Sequence, residues 1–233
     1  MAADPNSVVN APALEVASGR YVIFHGGVEC GEDRWRLQAL PDGTVVLTGE
    51  HELARPHPFP NRQQYRATLT NTFRARSLEI VWSVGDRVLR ALHEADAGQW
   101  RVRVDYQDHT REQQGDYPDI CEVEYTTPLF NTFMLSRRDF QLGGEHEFPV
   151  LRIGPPLMAV SPERMLIRCA EHAERDTPWG RVAAKRYVVS LPPRGEDEGY
   201  SFWADERDVL LESFEGASTR STWMKLVEYR RGA

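Results

Sequence analysis

The chain has 233 residues, of which 41% are hydrophobic and 27% are charged, and its net charge is −7 at neutral pH. These proportions are those of an ordinary globular domain and argue against a disordered chain. Lys and Arg are scattered along the sequence, so a basic surface for nucleic acid is not expected.

The N-terminal segment has two prolines, few large apolar residues and no hydrophobic periodicity. It predicts a flexible arm over residues 1–18, followed by a single domain over residues 19–233. Neither a signal-peptide pattern nor a run of about 18 apolar residues is visible, which predicts a cytoplasmic protein without an integral membrane segment. Cys30, Cys121 and Cys169 form no CxxC pair, so we expect three reduced and partly buried thiols.

Alternating hydrophobicity predicts six or seven half-buried antiparallel strands before residue 107. The pattern is clear in YRATLTNTF from Tyr65, in LEIVWSV from Leu78 and in WRVRVDY from Trp100. The short turns PDG, GD and DAG separate such runs. This close spacing favours one continuous, strongly curved sheet over a sandwich of two sheets.

Two segments of this region predict loops instead of strands. The stretch ARPHPFPN at 54–61 contains three prolines and cannot lie in a central strand. The stretch DHTREQQGDYP at 108–118 is polar throughout and has no alternation.

The stretch TTPLFNTFMLSRR departs from the period of two and predicts a short helix over Pro128–Arg138. Thr127 is a candidate N-cap, and Pro128 suits the first helical position. One face of this helix carries Leu129, Phe130, Phe133 and Met134. That face either packs in a plain core or borders a ligand cavity, and the sequence leaves both possibilities open.

The segment SPERMLIRCAEHAE, which begins at Ser161, fits either a helix or a strand. Alternation through Met165, Ile167 and Cys169 competes with the helical pattern. The following DTPWG is typical of a turn, and RVAAKRYVVS is typical of a strand. We therefore predict a hairpin here.

Five carboxylates crowd the stretch SFWADERDVLLESFEG, and they suggest either a catalytic pair or a wet turn. Asp205, Glu206 and Asp208 lie between two strand-like runs, where Asp is favoured because it bonds the local backbone. A general acid needs an apolar pocket, and turns are usually wet. We predict an exposed turn and keep as the alternative a hydrolase or lyase that acts on a sugar or ester.

No local motif for a metal, a nucleophile or a cofactor is present. The seven histidines show no HxH or HExxH spacing, and the sequence contains no GxSxG, P-loop or GxGxxG. We therefore expect neither a metal nor a cofactor. A strongly curved sheet rich in aromatic residues, including Trp82 and Trp100, can instead enclose an apolar cavity for a small ligand.

The stretch DICEVEYTTPLFNTFMLSRR, residues 119–138, resembles a segment of a family described as glycolipid-binding. The matching positions are Thr127, Pro128, Asn131, Thr132, Arg137 and Arg138. That family has a fold like the bacterial lipoprotein carriers LolA and LolB, which are half-open antiparallel β-barrels with covering helices and an apolar cavity.

The resemblance implies a mainly β (α+β) fold, with one strongly curved antiparallel sheet and one or two covering helices. It also implies non-enzymatic binding of an amphipathic or lipid-like partner, such as a glycolipid. The candidate ligand-binding residues are Trp82, Trp100, Phe130, Asn131, Phe133, Met134, Arg137 and Arg138. The arginines or Asn131 would meet the head group. A protein-binding scaffold with an exposed sheet edge is a further alternative.

Overall fold

The computed structural model describes residues 14–96, 98–191, 199–215 and 222–232, and these contain fifteen strands and one helix. The first eight strands are β1 (Leu14–His25), β2 (Val28–Ala39), β3 (Val45–Leu53), β4 (Asn61–Leu69), β5 (Ala75–Val84), β6 (Arg87–Asp96), β7 (Gln99–Asp105) and β8 (Thr110–Asp116). The other elements are β9 (Glu122–Glu124), α1 (Leu129–Ser136), β10 (Glu145–Gly154), β11 (Ala159–Thr177), β12 (Gly180–Ser190), β13 (Tyr200–Asp205), β14 (Leu210–Glu215) and β15 (Thr222–Arg231).

All strands of the described chain belong to one sheet with the order β8-β7-β6-β5-β4-β3-β2-β1-β15-β14-β13-β12-β11-β10-β9. Neighbouring strands are antiparallel, except that β9 and β10 are parallel. The first described strand, β1, therefore lies in the middle of the sheet; β2 to β8 build one half outward, and β9 to β15 build the other half back to β1. The predicted single, mainly antiparallel sheet is confirmed.

The sheet curls around α1 and brings its two outer regions into contact. The Val160 N–H in β11 donates to Gln113 Oε1 in β8 (3.3 Å), and the Tyr106 hydroxyl donates to the Leu157 carbonyl (2.8 Å). In the described chain the edge strands β8 and β9 do not pair with each other. The sheet is therefore not closed into a barrel.

The predicted alternation matches the buried faces of β4, β5 and β7. The residues that this face buries are Tyr65, Ala67, Leu69, Leu78, Ile80, Trp100, Val102 and Val104. In β4 the prediction extended the strand to Phe73, which is wrong. The strand ends at Leu69 because residues 70–74 form a turn, in which the Thr70 N–H donates to the Arg74 carbonyl and Phe73 has a φ of 60°.

The two predicted loops have different outcomes. The proline-rich segment at 54–61 is a turn up to Pro60, just before β4, as predicted. The segment at 108–118 contains β8, so the loop prediction is wrong. Most side chains of β8 are exposed on both faces, and hydrophobic alternation therefore has no buried face to mark.

Two further predictions concern the N-terminal boundary of the sheet and the segment after Ser161. β1 begins at Leu14, inside the predicted arm of residues 1–18, because Leu14 and Ala17 pair with Ala39 and Leu37 of β2. The segment after Ser161 lies in β11, which forms a hairpin with β12. The predicted hairpin is confirmed.

The predicted helix is confirmed, but its start and its surroundings differ from expectation. Pro128 is the N-cap residue and no side chain caps the helix, so Thr127 does not have the predicted capping role. Arg137 is the C-cap residue. Six of the eight residues of α1 are buried, so the helix fills the inside of the curled sheet instead of covering it.

All three cysteines are free and buried. Burial raises the pKa of the Cys121 thiol to about 11, and it also raises the pKa of Cys30 and Cys169. Because the thiolate is the reactive form, burial and a raised pKa make these thiols poorly suited to act as nucleophiles.

Candidate ligand-binding cavity

Three polar side chains around the N-terminal half of α1 hold this helix inside the sheet. The Thr127 hydroxyl lies 3.2 Å from the Tyr65 hydroxyl of β4. The Asn131 Oδ1 accepts a hydrogen bond from the Tyr200 hydroxyl of β13 (2.9 Å), and Thr132 Oγ1 accepts the backbone N–H of Leu210 (3.4 Å). The motif that carries the resemblance thus ties one helix to three strands from both halves of the sheet.

Beside this end of α1 lies a cavity of about 770 Å³. Its walls come from the segment before the helix, from α1 itself and from strands β9, β10, β11 and β13–β15. Its polar lining includes Glu124, Asn131, Arg152, Ser161, Glu163, Tyr200, Ser213 and Thr222. Its apolar lining includes Pro128, Ile153, Pro155 and Met224. This mixture of polar and apolar groups is typical of a small-molecule site.

One arginine and two glutamates set the charge of the cavity. Arg152 Nε lies 3.3 Å from Glu124 Oε2, and Arg152 Nη1 lies 3.9 Å from Glu163 Oε2. About a third of the Arg152 side chain is exposed, whereas the two carboxylates are more buried. The positive charge is therefore already balanced within the protein.

Tyr200 is the central hydroxyl group of this site. Its hydroxyl is held by Asn131, and its ring lies 6.2 Å from that of Phe202. Burial and the neighbouring Glu124 carboxylate raise the pKa of Tyr200 well above its usual value. The phenol is thus a neutral hydrogen-bonding group at neutral pH.

Of the candidate binding residues, Asn131 lines the cavity, and the two arginines lie at the other end of α1. Six residues separate Asn131 from Arg137, which is about 9 Å along a helix axis. Arg137 and Arg138 both pair with the buried carboxylate of Glu122, the latter at 2.7 Å. Arg137 also donates to the Thr72 carbonyl (3.0 Å). The structure therefore does not bring these arginines to the cavity.

The apolar candidates on α1 are buried among other side chains. Phe133 stacks on Phe73 with ring centroids 5.2 Å apart, and Phe130 meets the ring of Tyr125, a cavity-lining residue, at 6.4 Å. Met134 is completely buried. These contacts are typical of a core helix. Phe130 does not line the cavity itself, but it contacts Tyr125, which does.

The two candidate tryptophans lie on the other half of the sheet. Trp82 is half-buried on β5, directly across from Gln63 of β4. Trp100 is buried on β7 and packs over Gly115, where a larger residue would collide with the indole. Neither residue lines the cavity.

Asp205 is the last residue of β13, and Glu206 and Asp208 lie in the turn that leads to β14. Asp205 Oδ1 accepts the backbone N–H groups of Arg207 and Val209, both at 2.9 Å, which is the bonding of an Asx turn. Glu206 is exposed as predicted, but the predicted exposure is wrong for Asp205 and Asp208, which are half-buried. Burial raises the pKa of Asp208, despite the opposing effect of Lys185. The geometry is that of a turn and not of a carboxylate pair across a cleft.

Sequence reasoning missed Arg152, Glu124, Glu163 and Tyr200 as site residues. A charged residue in the otherwise apolar PVLRIG of β10 was a detectable signal for Arg152. The other three carried no local signal, because they meet only when distant strands pair.

The described ranges contain no group of three His, Cys, Asp or Glu side chains placed to hold a metal ion. Within the same ranges, no helix has the length and apolar character needed to cross a membrane.

No protein-family model and no curated protein matches the chain, so the resemblance to a glycolipid-binding family stays a prediction. Among solved structures, the chain is similar to a beta-barrel-like protein of domain of unknown function DUF1849 from Brucella abortus. The two are 9% identical with a TM-score of 0.62, over 95% of this chain and 99% of that chain. The chain is also similar to a DUF1089 family protein from Pseudomonas aeruginosa, at 15% identity and a TM-score of 0.50, over 91% and 95%. At these identities the likeness shows the fold alone.

Proposed function

We propose that this protein binds a small amphipathic molecule, without converting it, in the cavity beside the N-terminal end of α1. The observation that carries the proposal is the cavity of about 770 Å³, in which polar and apolar groups line one space. Ligand sites commonly measure about 300–1,000 Å³ and combine apolar walls with a few convergent polar groups.

The polar lining favours an uncharged head group with several hydroxyls, such as a sugar. The cavity offers carboxylate and amide oxygens as acceptors, and an arginine and several hydroxyls as donors. The charge of Arg152 is already paired with two carboxylates, Glu124 and Glu163, and these would repel an anionic head group at the same place. A glycolipid-like molecule fits this balance better than a phospholipid or a fatty acid.

The apolar lining favours a single short chain. Ile153, Pro155 and Met224 supply apolar surface, and methionine adapts to differing ligand shapes. The rest of the interior is filled, because Phe130, Phe133 and Met134 are almost completely buried. A long acyl chain would therefore have to displace the core.

The enzymatic alternative has less support. A catalytic role for Asp205 would require a carboxylate free to exchange a proton with a substrate, whereas its Oδ1 already accepts two backbone N–H groups of the turn. Glu206 is exposed, so it lacks the apolar pocket that a general acid needs. The turn geometry therefore gives little support to a hydrolase or lyase built on these carboxylates.

A blocking substitution tests the proposal. Ser213→Phe places a ring in the cavity, whereas Ser201→Phe on the neighbouring strand β13 places the same ring on the opposite face of the sheet. Calorimetry with octyl glucoside would be compared with octyl phosphate, which has the same chain and an anionic head group.

We expect the wild type and Ser201→Phe to bind octyl glucoside alike, and Ser213→Phe to bind at least about tenfold more weakly, a loss of about 1.4 kcal/mol. Octyl phosphate should bind more weakly than octyl glucoside. Absence of glucoside binding to the wild type, or unchanged binding to Ser213→Phe, would overturn the proposal.

A further inference from the structure

A buried polar cluster lies on the inner face of β2–β4, away from the cavity lining. It consists of Asp33, His51, Gln63 and Tyr65, and we name it the Asp33 cluster. Asp33, His51 and Gln63 are direct neighbours across three strands, and all four side chains are at least 95% buried. A sheet interior rarely holds so many polar groups unless they have a role.

The Asp33 cluster contains a carboxyl group with few protein partners. Asp33 Oδ1 accepts a hydrogen bond from the Tyr65 hydroxyl at 2.7 Å, and Asp33 Oδ2 lies 3.7 Å from His51 Nδ1. Among the described residues, no Lys or Arg nitrogen lies within 4 Å of Asp33. Burial and the charge of Asp33 raise the pKa of Tyr65 well above its usual value. The Tyr65 hydroxyl therefore keeps its proton at neutral pH and donates it in the hydrogen bond to Asp33.

Two contacts lead from the Asp33 cluster to the segment just before α1. The Tyr65 hydroxyl donates its single proton to Asp33. The oxygen of the same hydroxyl lies 3.2 Å from the Thr127 hydroxyl, and this contact links the Asp33 cluster to the segment before α1. The Tyr125 hydroxyl donates to Gln63 Oε1. Tyr125 and Pro128 line the cavity, so the Asp33 cluster holds the backbone of one cavity wall.

Gly49 of β3 is what allows Tyr65 to reach these partners. Gly49 lies directly across from Tyr65, and a β-carbon at this position would overlap the Tyr65 hydroxyl. The backbone φ of Gly49 is ordinary, so the space and not the conformation requires glycine. An added methyl group would therefore displace the Tyr65 hydroxyl without changing any polar group.

We infer that Asp33 and Tyr65 are positioning residues for the cavity, and that they act through Thr127. Asn131, which binds Tyr200 in the cavity, follows Thr127 by four residues and lies about one helical turn beyond it. A fixed Thr127 therefore fixes the start of α1 and the Asn131 amide. Hydrogen bonds in a buried setting are directional and are not exchanged with water, which suits this task. The inference rests on the proposed binding function.

Gly49→Ala is the sharpest test, and Gly19→Ala on β1 is its matched control. Both residues face inward, and an added β-carbon at either would approach a neighbouring backbone carbonyl at 2.8 Å. At Gly19 the side chain met is Trp35, at 2.7 Å, which lies outside the contacts to Thr127. Affinity for octyl glucoside and hydrogen exchange of the backbone over residues 125–131 would be measured on both variants.

We expect Gly49→Ala to bind about tenfold more weakly, the equivalent of one lost hydrogen bond. Its exchange over 125–131 should be faster, and Gly19→Ala should match the wild type in both measurements. Tyr65→Phe should behave as Gly49→Ala does, and it provides the answer if Gly49→Ala fails to fold. Asp33→Asn keeps an acceptor for Tyr65 and should stay within about threefold of the wild type, a difference smaller than one hydrogen bond.

Two results would overturn the inference. One is wild-type affinity and exchange in both Gly49→Ala and Tyr65→Phe. The other is an equal effect of Gly19→Ala, which would indicate a general loss of packing. If the wild type itself binds no octyl glucoside, the proposed function fails, and the exchange over 125–131 alone decides whether the Asp33 cluster positions this segment.

Discussion

At its N-terminal end α1 is held by hydrogen bonds between uncharged groups, and at its C-terminal end by ion pairs. Thr127 and Asn131 each meet a tyrosine hydroxyl. Arg137 and Arg138 instead share the buried carboxylate of Glu122. The cavity lies beside the N-terminal end. At the C-terminal end the Arg138 guanidinium lies 3.9 Å from the centre of the Phe148 ring.

This difference teaches that neighbouring residues of one short motif need not serve one site. Ion pairs to a buried carboxylate anchor an element firmly, because a partner left alone in the interior is costly. Uncharged hydroxyl and amide groups can exchange a protein partner for a ligand hydroxyl at little cost. We therefore expect stability to depend on the C-terminal end and ligand binding on the N-terminal end.

The largest expected effect comes from the middle of the helix, which both ends share. Phe133→Ala should lower the free energy of unfolding by about 3–5 kcal/mol, because it leaves a void in a packed core. Urea denaturation measures this loss. Since Phe133 does not line the cavity, octyl glucoside affinity of the folded variant should stay close to that of the wild type.

Phe59→Ala is the matched control for Phe133→Ala, because Phe59 is 73% exposed and should change stability by less than about 0.5 kcal/mol. A small loss of stability for Phe133→Ala together with a marked change in binding would place this ring at a ligand-contacting wall. That outcome would contradict the expectation that the middle of α1 serves stability and its N-terminal end serves ligand binding.

The next effect tests the C-terminal end alone. Glu122→Gln leaves Arg137 and Arg138 without their anion and should cost about 2–3 kcal/mol, less than for a fully buried pair because both arginines keep some contact with water. Glu147→Gln is the control, since its pair with Arg164 is exposed and contributes about 0–1 kcal/mol. Glucoside binding by Glu122→Gln should be unchanged, and a clear loss of binding would contradict the separation of the two ends.

The fold was predictable from the sequence wherever a segment has one wet and one buried face. Tyr65, Ile80 and Val102 lie on strands whose alternation marks the core directly. Pro128 and the apolar spacing after it marked α1. The edge strand β8 was missed because nothing on it is buried, and hydrophobic patterning reports burial, not hydrogen bonding.

The candidate site was less predictable, because it is assembled by pairing between distant strands. Asn131 was found through the motif around it, but Arg152 and Tyr200 reach the same cavity from β10 and β13. The paired arginines were assigned to a head group because the sequence does not show that Glu122 folds against them. A buried counter-ion is a property of the tertiary structure.

The smallest expected effect tests the N-terminal end. Tyr200→Phe removes one hydroxyl from the cavity and leaves Asn131 Oδ1 without its donor. The loss of stability should be about 1 kcal/mol, the net value of one hydrogen bond. Binding of octyl glucoside should weaken about fivefold, because a hydroxyl that contacts the ligand is worth a similar amount.

Tyr106→Phe supplies the comparison for Tyr200→Phe, because it removes a hydroxyl that donates to the Leu157 carbonyl outside the cavity lining. Its stability should fall by no more than that of Tyr200→Phe, and its glucoside affinity should equal that of the wild type. Calorimetry on both variants gives the two affinities, and urea denaturation gives the two stabilities. If Tyr106→Phe weakened binding as much as Tyr200→Phe, loss of any hydrogen bond in the sheet would reduce affinity. Ligand binding would then not depend specifically on the N-terminal end of α1.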